Sequence, residues 1–455
     1  MADSFFQRDI ETADRNKIKG IQAVALASML NYIEMRSGFY QEKFKRANVA
    51  LDKIRGLDDL EELPFTERDE IVADQAAHGQ MGTLMCTRFT DTGQVIGQTG
   101  DRFSTTGEPI RVIVSPTDLA NQGKLAARGL TSAGLTWRDY LYIADFPQFN
   151  LVYMHTGLGS INVGSKSLLI GMERAERNVL VYMPLYPPNA FFISPSYSKV
   201  MTRIIREAGK KFSIHTVVGW NEPGYSLPSV RKHMEVLWRG VSTEEDVRVC
   251  DAYGLIETGY LGCECRQQAG LHGFEDSYIY EIIDPGTGSR LSMGEEGELV
   301  VTHLAREGMP LIRYRTGDIT SLDDSPCACG RTHVRLKGIR GRWQERLDVG
   351  GRILYASDVE EALAGLEYQG AFNILRDGGG RLGALKVAID KDKAAVSGSQ
   401  ALKPALENRL EVPVDLLLSD SASLIAYLHR SRYVMDKKNL DAFRKEAAAQ
   451  ANVEG

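Results

Sequence analysis

No stretch of this 455-residue chain approaches the ~20 consecutive apolar residues that cross a bilayer as a helix, so no membrane-spanning segment is expected. The opening run MADSFFQRDIETADRNKIKG lacks the apolar core of a secretory signal, and a cytoplasmic protein is the expectation. Excess positive charge is also missing. With 54 Lys and Arg against 60 Asp and Glu, the net charge is −6, and no basic field argues for nucleic acid or an anionic membrane as partner. Repeats and low-complexity tracts are absent. Cysteine is scarce, with six in all: Cys86, Cys250, Cys263, Cys265, Cys327 and Cys329. Four of them form two C-x-C pairs, which a disulfide framework in a large cytosolic chain does not favour. Clustered thiols in a reducing compartment read as metal ligands, whereas Cys86 and Cys250 read as core residues.

What is present is the composition of a globular protein, 43% hydrophobic and 25% charged, long enough for two or three domains. From about 100 to 260, short β-rich runs alternate with helical patterns. YLYIA (140–144), VLVYMP (179–184), HTVVG (215–219) and VRVCDAYG (247–254) predict buried strands. Between them, SPSYSKVMTRIIREAG predicts a helix with Ser194 as N-cap, Pro195 in the first turn and Gly209 closing it. Val200, Ile204, Ile205 and Ala208 would form its buried face. Such alternation implies an α/β layered fold. After about 270, DSYIYEIID and GEEGELVVTHL predict antiparallel strands joined by Gly/Pro turns. Beyond about 345 a small α+β unit is expected, with a helix starting after Ser357, strands at FNIL and LGALKVAID, and a helix over 402–410.

Four groups of residues could carry chemistry. Ser104, Thr105, Thr106 and Gly107 offer hydroxyls and a pliable backbone that can wrap phosphate oxygens, although a polar turn has the same composition. Asp251, Tyr253, Gly254 and Glu257 follow a predicted strand, where α/β enzymes place ligands. There an aromatic and a glycine can accept a purine and a carboxylate can hold Mg²⁺; a structural turn is the competing reading. Asp318, in RYRTGD, suits ribose hydroxyls or a solvated turn. Cys265 and His272, with Cys327 and Cys329, supply three thiolates and an imidazole, a closed tetrahedral zinc set. Cys263, His303 and His333 compete for the same places.

Taken in order, these pieces resemble the adenylate-forming (acyl/aryl-CoA synthetase) superfamily, in its phenylacetate–CoA ligase-like branch. STTGEP, GWNEP (219–223), YGLIE, MPLIRYRTGD, CACGRT and GRWQERLDVGG fall at the family's intervals, nearly end to end. The resemblance implies a large N-terminal domain, 1–343, of layered α/β structure with a β-rich part, and a mobile α+β lid, 344–455. It implies that ATP and a carboxylate give an acyl-adenylate and pyrophosphate, after which CoA, an amine or a carrier thiol displaces AMP. By position, Ser104, Thr105, Thr106 and Gly107 would hold the phosphates, and Asn221, Glu222 and Pro223 would flank adenine with Tyr253. Glu257 would bind Mg²⁺, Asp318 the ribose, and Arg342 would sit near the ribose at the domain boundary. Zinc would fall to Cys265, His272, Cys327 and Cys329. A homodimer in specialised metabolism is the accompanying expectation.

The chain departs from the family at four places. Arg102, Phe103 and Ser104 stand where Ser-Ser-Gly is usual, Ile256 replaces a hydroxyl residue, and Trp343-Gln344 alters the hinge. In LHRSRYVMD the adenylation lysine has no counterpart, and Arg430 is its nearest substitute. The acid pocket of the family draws on the segment 144–160 and on residues after Glu257. Phe149, Tyr153, His155 and Tyr260 therefore suggest an aromatic acid, with His155 a candidate base. Activation of another oxyanion such as nitrite, or nucleotide binding without catalysis, are the alternatives.

Overall fold

The computed structural model describes residues 5–419 except 55, 80, 89–92, 100–107, 145–150, 172–174, 223, 369, 377–379 and 397–398, together with 434–436. The chain forms two compact units, residues 1–222 with 237–339, and residues 223–236 with 340–455. The sequence sets the boundary after 343; the compact units part at 339/340, and 223–236 joins the second. The Glu361 carboxylate binds that segment by accepting the Ser229 N–H at 2.9 and 3.0 Å.

In the first unit, β1 (Val95–Gln98) and β2 (Arg111–Val114) form a hairpin. A large sheet follows, with β3 (Tyr140–Ala144), β4 (Lys166–Ile170), β5 (Ala190–Ile193), β6 (Thr216–Gly219), β7 (Arg248–Leu255), β8 (Gly259–Glu264) and β9 (Leu271–Gly273). Strands β10 (Tyr278–Ile283), β11 (Gly297–His303) and β12 (Tyr314–Thr320) run as an antiparallel meander. The short β13 (Leu322–Asp323) and β14 (Arg335–Leu336) return to the large sheet, whose order is β13-β14-β9-β8-β7-β6-β5-β3-β4. Pairing is parallel from β4 to β7 and antiparallel from β7 outward to β13. This mixed layering is the α/β fold that the alternation predicts.

The inner strands of the parallel half, β5 and β6, are covered on both faces. All four residues of β5 are buried, as a strand between helical layers must be. Helix Pro116–Ala133 begins with Ser115 and Asp118 in a reciprocal capping box and ends at Gly134 in the left-handed region. It packs on helix Leu151–Val163 so closely that a Cβ on Gly159 would stand 2.6 Å from the Ala126 Cβ. Helix Pro195–Glu207 forms as predicted, capped by Ser194. Its buried stripe is Tyr197, Met201 and Ile205, while Val200, Ile204 and Ala208 are only half-buried. The i, i+4, i+8 spacing of these three larger side chains sets the rotation.

One predicted strand is absent. Residues 178–182 of VLVYMP coil as a π-helix with Leu180, Val181 and Tyr182 exposed. Val179 and Met183 are driven inward, and the strand lies further on in AFFI. A short apolar run cannot separate helix from strand by periodicity.

Asp118 fastens the helical layer to the meander. Its carboxylate accepts the N–H groups of Ser115 (2.9 Å), Glu307 (2.7 Å) and Gly308 (2.8 Å). Next to it, His303 accepts from Leu311 N at 2.8 Å through Nδ1, so Nε2–H donates to Thr258 O at 3.1 Å. That pairing fixes a neutral tautomer. In the second unit, helices Ala356–Gly365 and Ser399–Leu410 are packed with strands Phe372–Arg376, Leu385–Asp390, Val414–Ser419 and Val434–Asp436. The first helix starts at Ala356, just before the predicted position. Leu347, Val359, Leu363, Ile374, Val387 and Leu406 are among the residues of its core.

Burial, with the nearby Arg306 charge, pushes both His155 and His303 down to about 3. In the unfolded chain these imidazoles take up protons below about pH 6.5, whereas in the fold they stay neutral. Acid therefore favours the unfolded chain between those limits. Each histidine is expected to remove about 2 kcal/mol of stability between pH 6.5 and 5. Denaturation midpoints at the two pH values measure the loss, which should be smaller in His303→Gln by the contribution of that one histidine, while His155 and His333, also lowered by burial, still titrate in this way.

Candidate functional site

The candidate site gathers where the parallel strands end. After β6 come Trp220, Asn221 and Glu222; β7 delivers Asp251, Tyr253 and Gly254; and the turn between β7 and β8 carries Glu257. Asn221 takes a positive φ of 74°, a conformation Asn tolerates better than most residues. Glu222 Oε2 accepts from Ser196 N at 3.2 Å and Ser196 Oγ at 2.8 Å, which aims it at the first turn of helix Pro195–Glu207. Gly254 is demanded by packing: a Cβ there would collide with Gly259 O and stand 2.9 Å from the Trp220 ring. Asp251 is buried in β7, and its N–H donates to Glu264 Oε2 at 2.9 Å.

Two side-chain contacts join the strand ends to the meander. Tyr253 Oη donates to Asp318 Oδ2 at 2.6 Å, and Tyr314 Oη donates to Glu257 Oε1 at 2.8 Å. Asp318 is 4% exposed, and its N–H donates to Thr316 Oγ1 at 3.1 Å. Upstream of β12, Arg313 adopts a φ of +46°. Its guanidinium is held in a fork by Glu281, at 3.1 and 2.9 Å, and donates to Leu63 O at 2.8 Å. These buried contacts maintain the strained backbone that leads into β12.

Among the proposed acid-pocket residues, Tyr153 is half-buried against the core, and Tyr260 is buried with its ring 5.1 Å from Trp220. The Tyr260 hydroxyl lies 3.0 Å from Thr156 Oγ1. His155 is fully buried with no hydrogen-bond partner on either ring nitrogen. An imidazole with a pKa near 3 accepts no proton at neutral pH, so the structure does not support His155 as the base. Arg342 is half-buried in the second unit. Ser104, Thr105, Thr106, Gly107, Phe149, Pro223 and Arg430 lie outside the described residues.

The Cys/His group is brought together by three elements. Cys265 closes β8, His272 sits in β9, and Cys327 and Cys329 lie in the loop between β13 and β14. Their ligand atoms all fall within 4.8 Å of one another. Cys265 Sγ is 3.8 Å from Cys327 Sγ, and Cys329 Sγ is 3.3 Å from His272 Nε2. A tetrahedral zinc with Zn–S bonds of about 2.3 Å separates its ligand atoms by about 3.5–3.8 Å, so the donor set fits. The contact with Cys265 pulls the Cys329 thiol down and the same contact pushes Cys265 up. Packed this closely, the sulfurs cannot all ionise unless a cation is shared.

Geometry also separates the competing ligands. His333 is engaged at both nitrogens, by Glu275 N at 2.9 Å and Ile10 O at 2.9 Å, and His303 is committed as described. Cys263 Sγ lies 3.4 Å from Gly129 O, within the core. Cys86 and Cys250 are buried as expected. Sequence reasoning missed Ser196, Tyr314 and Trp220. Ser196 carries a detectable signal, being in the first turn of a capped helix; for Tyr314 and Trp220 no local pattern announces the role.

No family model matches the chain. Among curated proteins, it is 31% identical over 366 residues to the phenylacetate–coenzyme A ligase of Thermus thermophilus, covering 79% of this chain and 78% of that one. It is 23% identical over 447 residues to the Escherichia coli protein of the same name, covering 95% and 97%. The crystal structure of a 2-hydroxyisobutyryl-CoA ligase superposes with a TM-score of 0.86 at 20% identity, covering 98% of this chain and 96% of that one. Fold and relatives together define the class, an adenylate-forming, AMP-producing ligase. Within it, the chain belongs to the phenylacetate–coenzyme A ligase family.

Two outcomes are expected. Freshly purified, unchelated protein should contain about one zinc per chain by elemental analysis, and Cys327→Ser should lose most of it. Gly254→Ala should cost about 1–3 kcal/mol through overpacking, read as a lowered denaturation midpoint.

Proposed function

We propose that this ligase activates an aromatic acid, of the arylacetic kind, and transfers the acyl group to the thiol of CoA. The names of the relatives support the substrate class and the acceptor. The observation that carries the reading is the 2.6 Å contact between Tyr253 and Asp318. It joins the aromatic expected against adenine to the carboxylate expected on ribose, as one nucleotide spanning both would require.

In this reading Asp318 binds the ribose hydroxyls, and Tyr253 with Asn221, Glu222 and Pro223 flanks the base. Gly254 and Asp251 shape the floor behind them. Ser104, Thr105, Thr106 and Gly107 receive the phosphates, and Thr105 takes a catalytic role. Glu257, steadied by Tyr314, holds Mg²⁺, which would neutralise phosphate charge. Arg342 is assigned to the ribose. Arg430 offsets the charge that develops between the carboxylate and the α-phosphate, the task that a lysine performs elsewhere in the family. Its guanidinium keeps the charge but presents a planar fork in place of a point. Tyr153 and Phe149 line the aromatic side of the pocket, and Tyr260 supports it from the core. The zinc is structural, because three thiolates and an imidazole leave no open position. The lid is residues 344–455, mobile about Arg342–Glu345.

The test is pyrophosphate release from ATP and Mg²⁺ across aromatic and aliphatic acids, with and without CoA. Release is expected with one group of aromatic acids and a CoA thioester as product. Arg430→Ala should slow release about 10²–10³-fold, and Asp318→Ala should weaken AMP binding. Release that requires nitrite and an arylamine, or AMP binding with no release under any condition, would overturn the reading.

A further inference from the structure

Glu257 sits in the short turn between β7 and β8. Within that turn Leu255 N–H donates to Thr258 Oγ1 at 3.2 Å, which closes the loop but leaves its tilt open. Three buried side chains from other elements set the tilt. Gln122, on helix Pro116–Ala133, accepts the Tyr260 N–H through Oε1 at 2.8 Å and donates from Nε2 to Tyr278 Oη at 2.8 Å. Tyr278 Oη, on β10, lies 2.9 Å from Thr258 O, and His303 Nε2, on β11, lies 3.1 Å from the same oxygen.

The direction of every bond follows from its ends. A backbone N–H only donates, so the Gln122 atom facing Tyr260 N is the carbonyl oxygen, and the amide nitrogen faces Tyr278. That nitrogen also only donates, so Tyr278 Oη accepts from it and sends its own proton to Thr258 O. Leu311 N–H donates to His303 Nδ1, which directs Nε2–H to the same carbonyl. Thr258 O thus has a donor on each lone pair, from two different strands, and cannot rotate without losing one. Gly259 follows at a φ of +84° and rests on the Gln122 amide, with which a Cβ would collide. All three residues after Glu257 are therefore clamped.

We propose that Gln122 and Tyr278 are positioning residues for Glu257, fixing the tilt of its turn so that the carboxylate meets the nucleotide's metal in one orientation. The inference rests on the assignment of Glu257 to Mg²⁺ proposed above. Tyr314 bonds to the carboxylate itself and sets where the oxygen lies relative to the turn. Gln122 and Tyr278 set where the turn lies relative to the sheet. Neither touches the carboxylate, so their loss alters the geometry of metal binding and leaves its charge intact. The chain of bonds passes through neither Tyr253 nor Asp318, the pair expected to hold AMP.

Pyrophosphate release measured across Mg²⁺ concentrations, in Gln122→Met and Tyr278→Phe, tests this. Loss of a residue that orients a metal ligand costs about 10–100-fold in metal affinity. The Mg²⁺ giving half-maximal release should therefore rise about 10-fold or more in each variant, while kcat at saturating Mg²⁺ and the affinity for AMP change little. Tyr280→Phe is the control. Its hydroxyl makes the same kind of bond from the same strand, to Leu261 O at 2.7 Å, beyond the turn, and its loss should leave the Mg²⁺ requirement where it is. Retained AMP binding shows that a variant folds; if Gln122→Met does not, Tyr278→Phe decides alone. An unchanged Mg²⁺ requirement, or an equal rise in Tyr280→Phe, overturns the proposal. Glu257→Gln separates the two readings: if it leaves the requirement unchanged, or if no acid releases pyrophosphate, the proposed function fails first. Hydrogen exchange of the 255–260 amides then decides the positioning role. Faster exchange there in the two variants, and not in Tyr280→Phe, upholds it; unchanged exchange overturns it.

Discussion

The arrangement depends on β7 having two kinds of neighbour. On one side β6 runs parallel to it, and on the other β8 runs antiparallel. A parallel neighbour requires a long crossover and leaves the end of the strand open to a ligand, whereas an antiparallel neighbour returns at once through a tight turn. The end of β7 has both. Tyr253 points into the open side, toward Asp318, while the turn that follows holds Glu257 against Tyr314. The register slips between Tyr253 and Gly254, and a glycine with no Cβ lets β8 approach at that point. A larger residue would separate β7 from both β8 and Trp220.

Local chemistry made part of this fold readable. Ser194-Pro195 announces a helix because a hydroxyl cap and a preset φ act within a few residues. The alternation of strands and helices likewise announces layered α/β structure, and the thiols and His272, singled out by donor type, do come together in the fold. Where the result depends on distant neighbours, the sequence was ambiguous. VLVYMP and AFFI are equally apolar, and only the space between β3 and β6 decides which becomes the strand. His272 was already preferred over His333 in the sequence, but the reason His333 is excluded, Glu275 N and Ile10 O at its two nitrogens, depends on residues distant in the chain. Tyr314 escaped notice for the same reason, since its partner lies 57 residues away.

Buried charge divides the molecule by purpose. The pairs Arg313–Glu281 and Arg331–Glu11 have close, hydrogen-bonded geometry. Such pairs contribute little net stability relative to apolar packing, but breaking one leaves an uncompensated charge. Their effect here is positional. Arg313 fixes the approach to β12, and Arg331 ties the loop after Cys329 to Glu11. Arg306 has charge compensation from Asp118 without hydrogen bonds.

The Cys/His group and the candidate site are linked through β8. Cys265 follows the last residue of that strand, and its partners bring in β9 and the loop between β13 and β14. A metal shared by these ligands would clip the antiparallel half of the sheet, since a structural zinc can contribute on the order of 10 kcal/mol of folding free energy. At its other end β8 begins with Gly259, immediately after the turn that carries Glu257. A strand fixed at Cys265 cannot slide against β7, so the turn keeps its register and Glu257 stays within reach of Tyr314. A metal held by the Cys/His set would thus act on the candidate site through strand register.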